Sequence, residues 1–339
     1  MFKDRKGAYL IYDSNQNCER IKSLFLFVLT SLRMDSLERL AFDLKDQISG
    51  LGRITVKRES ENVVYIGSGD SYVAGLIAEY FSGHKCKCYS PSDLMFSKII
   101  PDGTYYFVSA SGKTKANIEI AKRATKAGAK TVAITLSPFS ELAQVCNETI
   151  LLQTTSSDTS TSYSTFTANV VTCLKLTGVT IPRQFETWHR NGMTLASDSG
   201  SIKLPQSILH ILGNNMLYPI AIYASLKMAE FFGVTATANK LEEFCHSPIF
   251  GVKPTHSIWI FGHNEEFISK KIDNLSGQLN YFEFKNPNIL SQIFQSIFFL
   301  QSFMLLLSKK YNLKELKYRQ MKNVLKISSD IIYNRTYNV

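Results

Sequence analysis

Short β-branched or aromatic runs alternate along this chain with stretches whose apolar residues recur every three or four positions. From residue 36 to about 50, leucines, Phe42 and Ile48 fall at helical spacing. NVVYIG then reads as a strand, and SYVAGLIAEYFSG as a helix closed by Gly83. KCKCYS, GTYYFVSAS, KTVAITL and ETILLQT read as four more strands. SDLMFSKI, KTKANIEIAKRATKAG and ELAQVCN read as the helices between them. Such alternation predicts an α/β fold with a parallel sheet covered on both faces. The second half repeats the first. ILHILGNNMLYPIAIYA aligns with NVVYIGSGDSYVAGLIA, each with a glycine (Gly67, Gly213) and a tyrosine five residues on (Tyr72, Tyr218), and HSIWIFGHN aligns with GTYYFVSAS. Two α/β halves of one fold are the economical inference.

Between them lies TTSSDTSTSYSTFT, residues 154–167, almost wholly hydroxylated. It reads either as a linker or as a loop facing a polar ligand. At the N-terminus, SLFLFVLTSL (residues 23–32) falls short of the ~20 apolar residues a membrane helix needs. The basic residues before it faintly resemble a signal peptide, but no small-residue cleavage site follows. An extra amphipathic segment is expected, with Met34 an alternative start to Met1.

The charge of +10, from 38 basic and 28 acidic residues, means either a solvated basic surface or attraction for an anionic ligand. In the basic cluster from Lys309 to Lys326 the interleaving of aromatics does not suggest base stacking, with only Tyr311 and Tyr318 among the cations, so nucleic acid is not expected as a partner. Six scattered cysteines offer no zinc spacing; Cys86 and Cys88 share one strand face, and the pattern suits a reducing cytoplasm.

The glycine turn after the first strand, GSGDSY, lacks what a dinucleotide needs. Tyr72 occupies the third glycine position, and no acid ends the second strand. SGKT (residues 111–114) resembles the tail of a P-loop, but Phe107 stands where the first glycine belongs. What remains is two strand-to-helix turns rich in polar groups: Ser68, Gly69, Asp70 and Ser71 in one, Ser109, Ser111, Gly112 and Thr114 in the other. Adjacent parallel strands would bring both to one sheet edge. There, hydroxyls and helix N-terminal amides make a cradle the size of one phosphomonoester.

These turns resemble the sugar isomerase (SIS) family. SASGKT stands at its S-x-S-G-x-T phosphate loop, and Ser71 at its sugar-contacting serine. The likeness is greatest to the isomerase domains of the glucosamine-6-phosphate synthases and covers about residues 35–325. It implies a flavodoxin-like three-layer sandwich in each of two tandem SIS subdomains (35–180 and 181–325), with an N-terminal extension (1–34) and a tail (326–339). In ASLKMAEFFGVTATANKLEEFCHSPIFGV, the spacing of Lys227, Glu230, Glu243, His246 and Pro248 matches those domains. The resemblance implies that Glu230 moves a proton between two sugar carbons, that His246 opens the ring and that Lys227 assists electrostatically. The chemistry agrees: one carboxylate must reach both carbons, histidine suits a proton shuttle near neutral pH, and a cation stabilises an enediolate. Without the resemblance, Lys227 and Glu230 read equally as an exposed helical ion pair, and His246 as a loop histidine.

Three departures stand out. No glutaminase domain is recognisable, so glutamine hydrolysis is not expected. Ala110 replaces a glutamine of the phosphate loop. Asn323 stands at the imine-forming lysine, with Lys322 beside it. The resemblance thus implies an isomerase or deaminase of a hexose or hexosamine 6-phosphate, with no metal or cofactor and no membrane partner. A homodimer with shared sites is expected, its interface lined by the apolar face from Met216 to Ala224. The alternative is a non-catalytic phosphosugar sensor.

Overall fold

A computed structural model describes residues 35–56, 62–154, 162–262, 266–273 and 275–337. The N-terminal segment, with its apolar run and both candidate starts, lies outside the described residues. The first helix, α1 (Ser36–Leu51), begins where Asp35 accepts from the Glu38 amide while the Glu38 side chain accepts from the Asp35 amide, a reciprocal cap.

The first half is a parallel sheet of β1 (Val63–Ile66), β2 (Lys87–Tyr89), β3 (Thr104–Val108), β4 (Lys130–Thr135) and β5 (Glu148–Leu151), in the order β2-β1-β3-β4-β5. Helices α2 (Asp70–Phe81), α3 (Pro91–Leu94), α4 (Lys115–Lys126) and α5 (Glu141–Val145) connect the strands, and α6 (Tyr163–Leu176) follows β5. Strand residues alternate between two apolar layers, as period-two side chains must. Tyr65, Tyr106 and Val108 pack towards α1, α2 and α6. Ile66, Phe107 and Ala133 pack towards α3, α4 and α5.

The second half repeats the plan with β6 (Leu209–Gly213), β7 (Ala236–Asn239), β8 (Ser257–Phe261) and β9 (Gln278–Phe282), parallel and in the order β7-β6-β8-β9. Helices α7 (Phe185–Asp198), α8 (Tyr218–Phe232) and α11 (Ile289–Lys310) cover one face; α9 (Leu241–His246) and α10 (Glu266–Ile272) cover the other. Both halves are therefore three-layer α/β sandwiches, and the repeat read from the sequence is real.

Three expectations change. The helix expected over SDLMFSKI stops at Leu94, and beyond it the Arg123 guanidinium donates to the carbonyls of Leu94, Met95 and Ser97. The hydroxylated stretch is no linker where it is described. Ser162 caps α6 by accepting from the Thr165 amide, and Ser164, Thr165 and Thr167 are buried helical residues; residues 155–161 lie outside the described residues. The face from Met216 to Ala224, expected at a subunit interface, is inside this chain: Ile220, Ala221, Tyr223 and Ala224 are fully buried in the core the two halves share.

Two helices that the pattern does not predict, α7 and α11, build much of that core. Trp188 and Phe294 stack between them with centroids 4.9 Å apart. At Gly192 a Cβ would lie 2.7 Å from the Phe299 amide nitrogen, so only glycine admits this approach. Helix α11 is apolar and long enough to cross a bilayer, but most of it is buried here as a core helix.

Candidate functional site

β1 and β3 are neighbours, with Ile66 opposite Phe107. β2 lies on one side of β1 and β4 beyond β3, so the chain reverses its winding between them. Ligands of open α/β sheets bind in the crevice at such a switch point. Both predicted turns start from it. Gly67 has no room for a side chain: a Cβ would lie 2.8 Å from the Ser71 carbonyl carbon. Gly69 caps α2 with φ +56°, a left-handed conformation that favours glycine. Ser68 is exposed beside it and Ser71 half-buried.

In the second turn, Gly112 has φ +61° and donates its amide to the Ser109 carbonyl at 3.0 Å; a Cβ there would collide with Ser140. Ser109 is buried, with its Oγ 3.5 Å from the Thr114 Oγ1. Ser111 Oγ accepts from the Lys113 amide at 3.3 Å. Thr114 occupies the cap position of α4 but makes no capping bond. The structure therefore gathers Ser68, Gly69, Ser71, Ser109, Ser111, Gly112 and Thr114 at one sheet edge.

Lys227 and Glu230 lie one turn apart near the end of α8, which stops at Gly233 in a left-handed cap. Lys227 Nζ donates to Glu230 Oε2 at 2.7 Å and to Asp70 Oδ2 at 2.8 Å. The lysine is only 2% exposed, whereas the two carboxylate side chains are about one third open. Burial pushes the Glu230 carboxyl up; the Lys227 ammonium pulls it down, and the Asp70 charge adds to the rise. Burial disfavours the Lys227 charge, but the Asp70 and Glu230 carboxylates outweigh it and hold the ammonium above its ordinary range.

The second-half pair is thus tied to the residue between Gly69 and Ser71 in the first-half turn. Sequence reasoning counted Asp70 only among the polar groups of that turn. No local signal reveals a partner 157 positions away. Asp43 was missed too. It accepts from the Ser162 hydroxyl at 2.8 Å and the Ser164 amide at 2.9 Å, and burial pushes its carboxyl up.

His246 is elsewhere. It ends α9, is 73% exposed, and its Nε2 lies 3.6 Å from Glu242 Oε1. α9 follows the C-terminal end of β7 and packs on the opposite face of the second sheet from α8. Glu230 lies near the end of α8 that leads into β7's N-terminal end. The four residues of β7 alone separate those ends by about 13 Å. Lys322 begins the exposed helix α13 (Lys322–Ser329), which follows the short α12 (Lys317–Gln320).

No family model matches the chain. Over 243 residues it is 26% identical to the glutamine–fructose-6-phosphate aminotransferase (isomerizing) of Pseudomonas syringae pv. tomato, covering 63% of this chain and 39% of that enzyme. The chain therefore matches well under half the length of that relative. Among solved structures it resembles the C-terminal domain of glucosamine-fructose-6-phosphate aminotransferase from Francisella tularensis (TM-score 0.63, 17% identity, 80% of this chain and 96% of that one). It also resembles glucosamine-6-phosphate deaminase from Thermotoga maritima (TM-score 0.65, 16% identity, 82% and 96%). The tandem sugar-isomerase fold and the sequence match to the aminotransferase bear out the family resemblance.

Proposed function

We propose that this chain is a phosphosugar aldose–ketose isomerase or deaminase acting on a hexose or hexosamine 6-phosphate of the glucosamine 6-phosphate or fructose 6-phosphate type. The observation that carries the reading is the ion triad. It sets a carboxylate with a raised pKa, Glu230, beside the hydroxyl-lined turns through Lys227 and Asp70. A phosphate held by Ser109, Ser111, Thr114 and the α4 amides would place the far end of an open-chain sugar within the same crevice. Glu230 would take the proton from one of C1 and C2 and return it to the other. Two Lys227 protons are committed to carboxylates, which leaves one for the enediolate oxygen. The relatives' names agree with this substrate class.

The exposure of His246 supports a second element: a homodimer in which this histidine opens the ring in the neighbouring subunit's site. Within one chain it lies on the wrong face and at the wrong end of the second sheet. The five described cysteines are all unpaired, in keeping with a cytoplasmic protein.

The test is incubation with glucosamine 6-phosphate and with fructose 6-phosphate, with and without ammonia, followed by NMR. Interconversion of aldose and ketose phosphates, or ammonia release, is expected. Tight binding without turnover would mean a phosphosugar sensor instead.

A further inference from the structure

We propose that Asp70 is a positioning residue of the proton-transfer site, which shares the Lys227 ammonium with Glu230 so that proton uptake by Glu230 leaves the triad itself without net charge. The inference rests on the functional reading above and deepens it.

Asp70 Oδ2 and Glu230 Oε2 hold one buried ammonium at 2.8 and 2.7 Å. Two carboxylates on one cation leave a net charge of about −1 around a buried ammonium. When the sugar's C2–H bond breaks, its electron pair forms the C1–C2 double bond, the carbonyl pair moves to O1, and the proton goes to Glu230. What remains of the triad is the Asp70 carboxylate facing the Lys227 ammonium, a neutral pair. Return of the proton from Glu230 to C1, with the O2 hydroxyl proton passing to O1 as the C2 carbonyl forms, gives the ketose and restores the starting charge. Without the Asp70 charge, the Lys227 ammonium would hold Glu230 alone, and Glu230 would be the weaker base.

A second observation sets Asp70 apart from an ordinary surface acid. Its other oxygen, Oδ1, is buried without a hydrogen-bond partner. An orphaned buried acceptor costs free energy unless something bound there satisfies it. Its position as first residue of α2 offsets part of that cost through the helix dipole.

The other groups facing Glu230 cannot substitute for it. On α8 these are Lys227 and the Tyr223 phenol; on α6, the Tyr163 phenol, with Asp43 of α1 beyond; and α12, packed against the end of α8, brings Lys317, Tyr318 and Arg319. Burial raises the Tyr223 and Tyr163 phenols well above their ordinary range, so they stay neutral.

The experiment compares wild type with Asp70→Asn, which keeps the shape and removes the charge, in two ways. The first is the pH dependence of turnover. The second is a carbon-13 NMR titration of the Glu230 carboxyl, assigned by its loss in Glu230→Gln. We expect kcat to fall about tenfold to a hundredfold with KM within a few-fold. The acid limb and the Glu230 titration should both move to lower pH. A fall in kcat with neither of these moved would make Asp70 merely structural and overturn the inference. If Asp70→Asn does not fold, Asp70→Ser is read the same way. Absence of turnover in wild type would count against the isomerase reading alone, while the titration still decides the role of Asp70.

Discussion

Phe166 on α6 and Tyr223 on α8 stack face to face, with centroids 3.9 Å apart and planes 8° from parallel. The first ring belongs to the first half and the second to the other, and Lys227 lies one helical turn beyond Tyr223. The stack therefore sets the height at which Lys227 meets Asp70. Truncating a buried aromatic of this size costs roughly 3–5 kcal/mol. Tyr223→Ala should lower the urea midpoint accordingly and weaken turnover through the site. A change below about 1 kcal/mol would show that the stack does not clamp the halves.

The raised Glu230 carboxyl predicts a pH signature. Its ordinary value is about 4.3, and the reactive form is the carboxylate. The acid limb of activity should therefore lie above that value. Glu230→Gln should reduce turnover about 10²–10⁴-fold and abolish solvent deuterium exchange into C1 or C2, with substrate binding nearly intact. Full exchange in the variant would transfer the role to Glu243.

The same shift has a stability consequence with a definite sign. A carboxyl whose folded pKa exceeds its unfolded value binds its proton more tightly when folded. Its ionisation opposes folding above the folded pKa, and that opposition is relieved as pH falls through it towards the unfolded value. Glu230→Gln should match or exceed wild type in thermal stability at pH 8, and its advantage should shrink on acidification. Scanning calorimetry at several pH values would read this; an advantage that grows at low pH would contradict the direction.

The phosphate cradle predicts that Ser109→Ala with Thr114→Ala weakens binding of glucosamine 6-phosphate. Each change removes a donor to a dianion, and hydrogen bonds to charged groups contribute ~1.5–3 kcal/mol. The pair should cost at least about tenfold in Kd by calorimetry. Unchanged affinity would place the phosphate elsewhere.

Shared sites predict complementation. After subunit exchange between inactive Glu230→Gln and inactive His246→Ala, heterodimers carry one site with both lesions and one with neither. Activity should return to roughly a quarter of wild type, since about half of the molecules have one good site each. If His246 serves its own subunit, every site keeps a lesion and no activity returns.

Residue order alone determined the alternating layers, the two-fold repeat and both glycine turns, because strand and helix periodicities and left-handed glycines are local properties. It also marked Lys227 and Glu230, one helical turn apart and hence on one face whatever surrounds them. Tertiary structure decided the rest. Lys227 became a buried ammonium rather than an exposed partner only because α8 packs against α2, which brings in Asp70 from the other half. The apolar face of α8, legible as a sticky surface, was assigned by packing to the chain's own core; a hydrophobic stripe specifies that it be covered, not by what. His246 keeps its sequence distance from Glu230, yet the sheet between α8 and α9 separates them. Spacing along the chain limits how far apart two side chains can lie, but the path of β7 and the faces its flanking helices take set where they are.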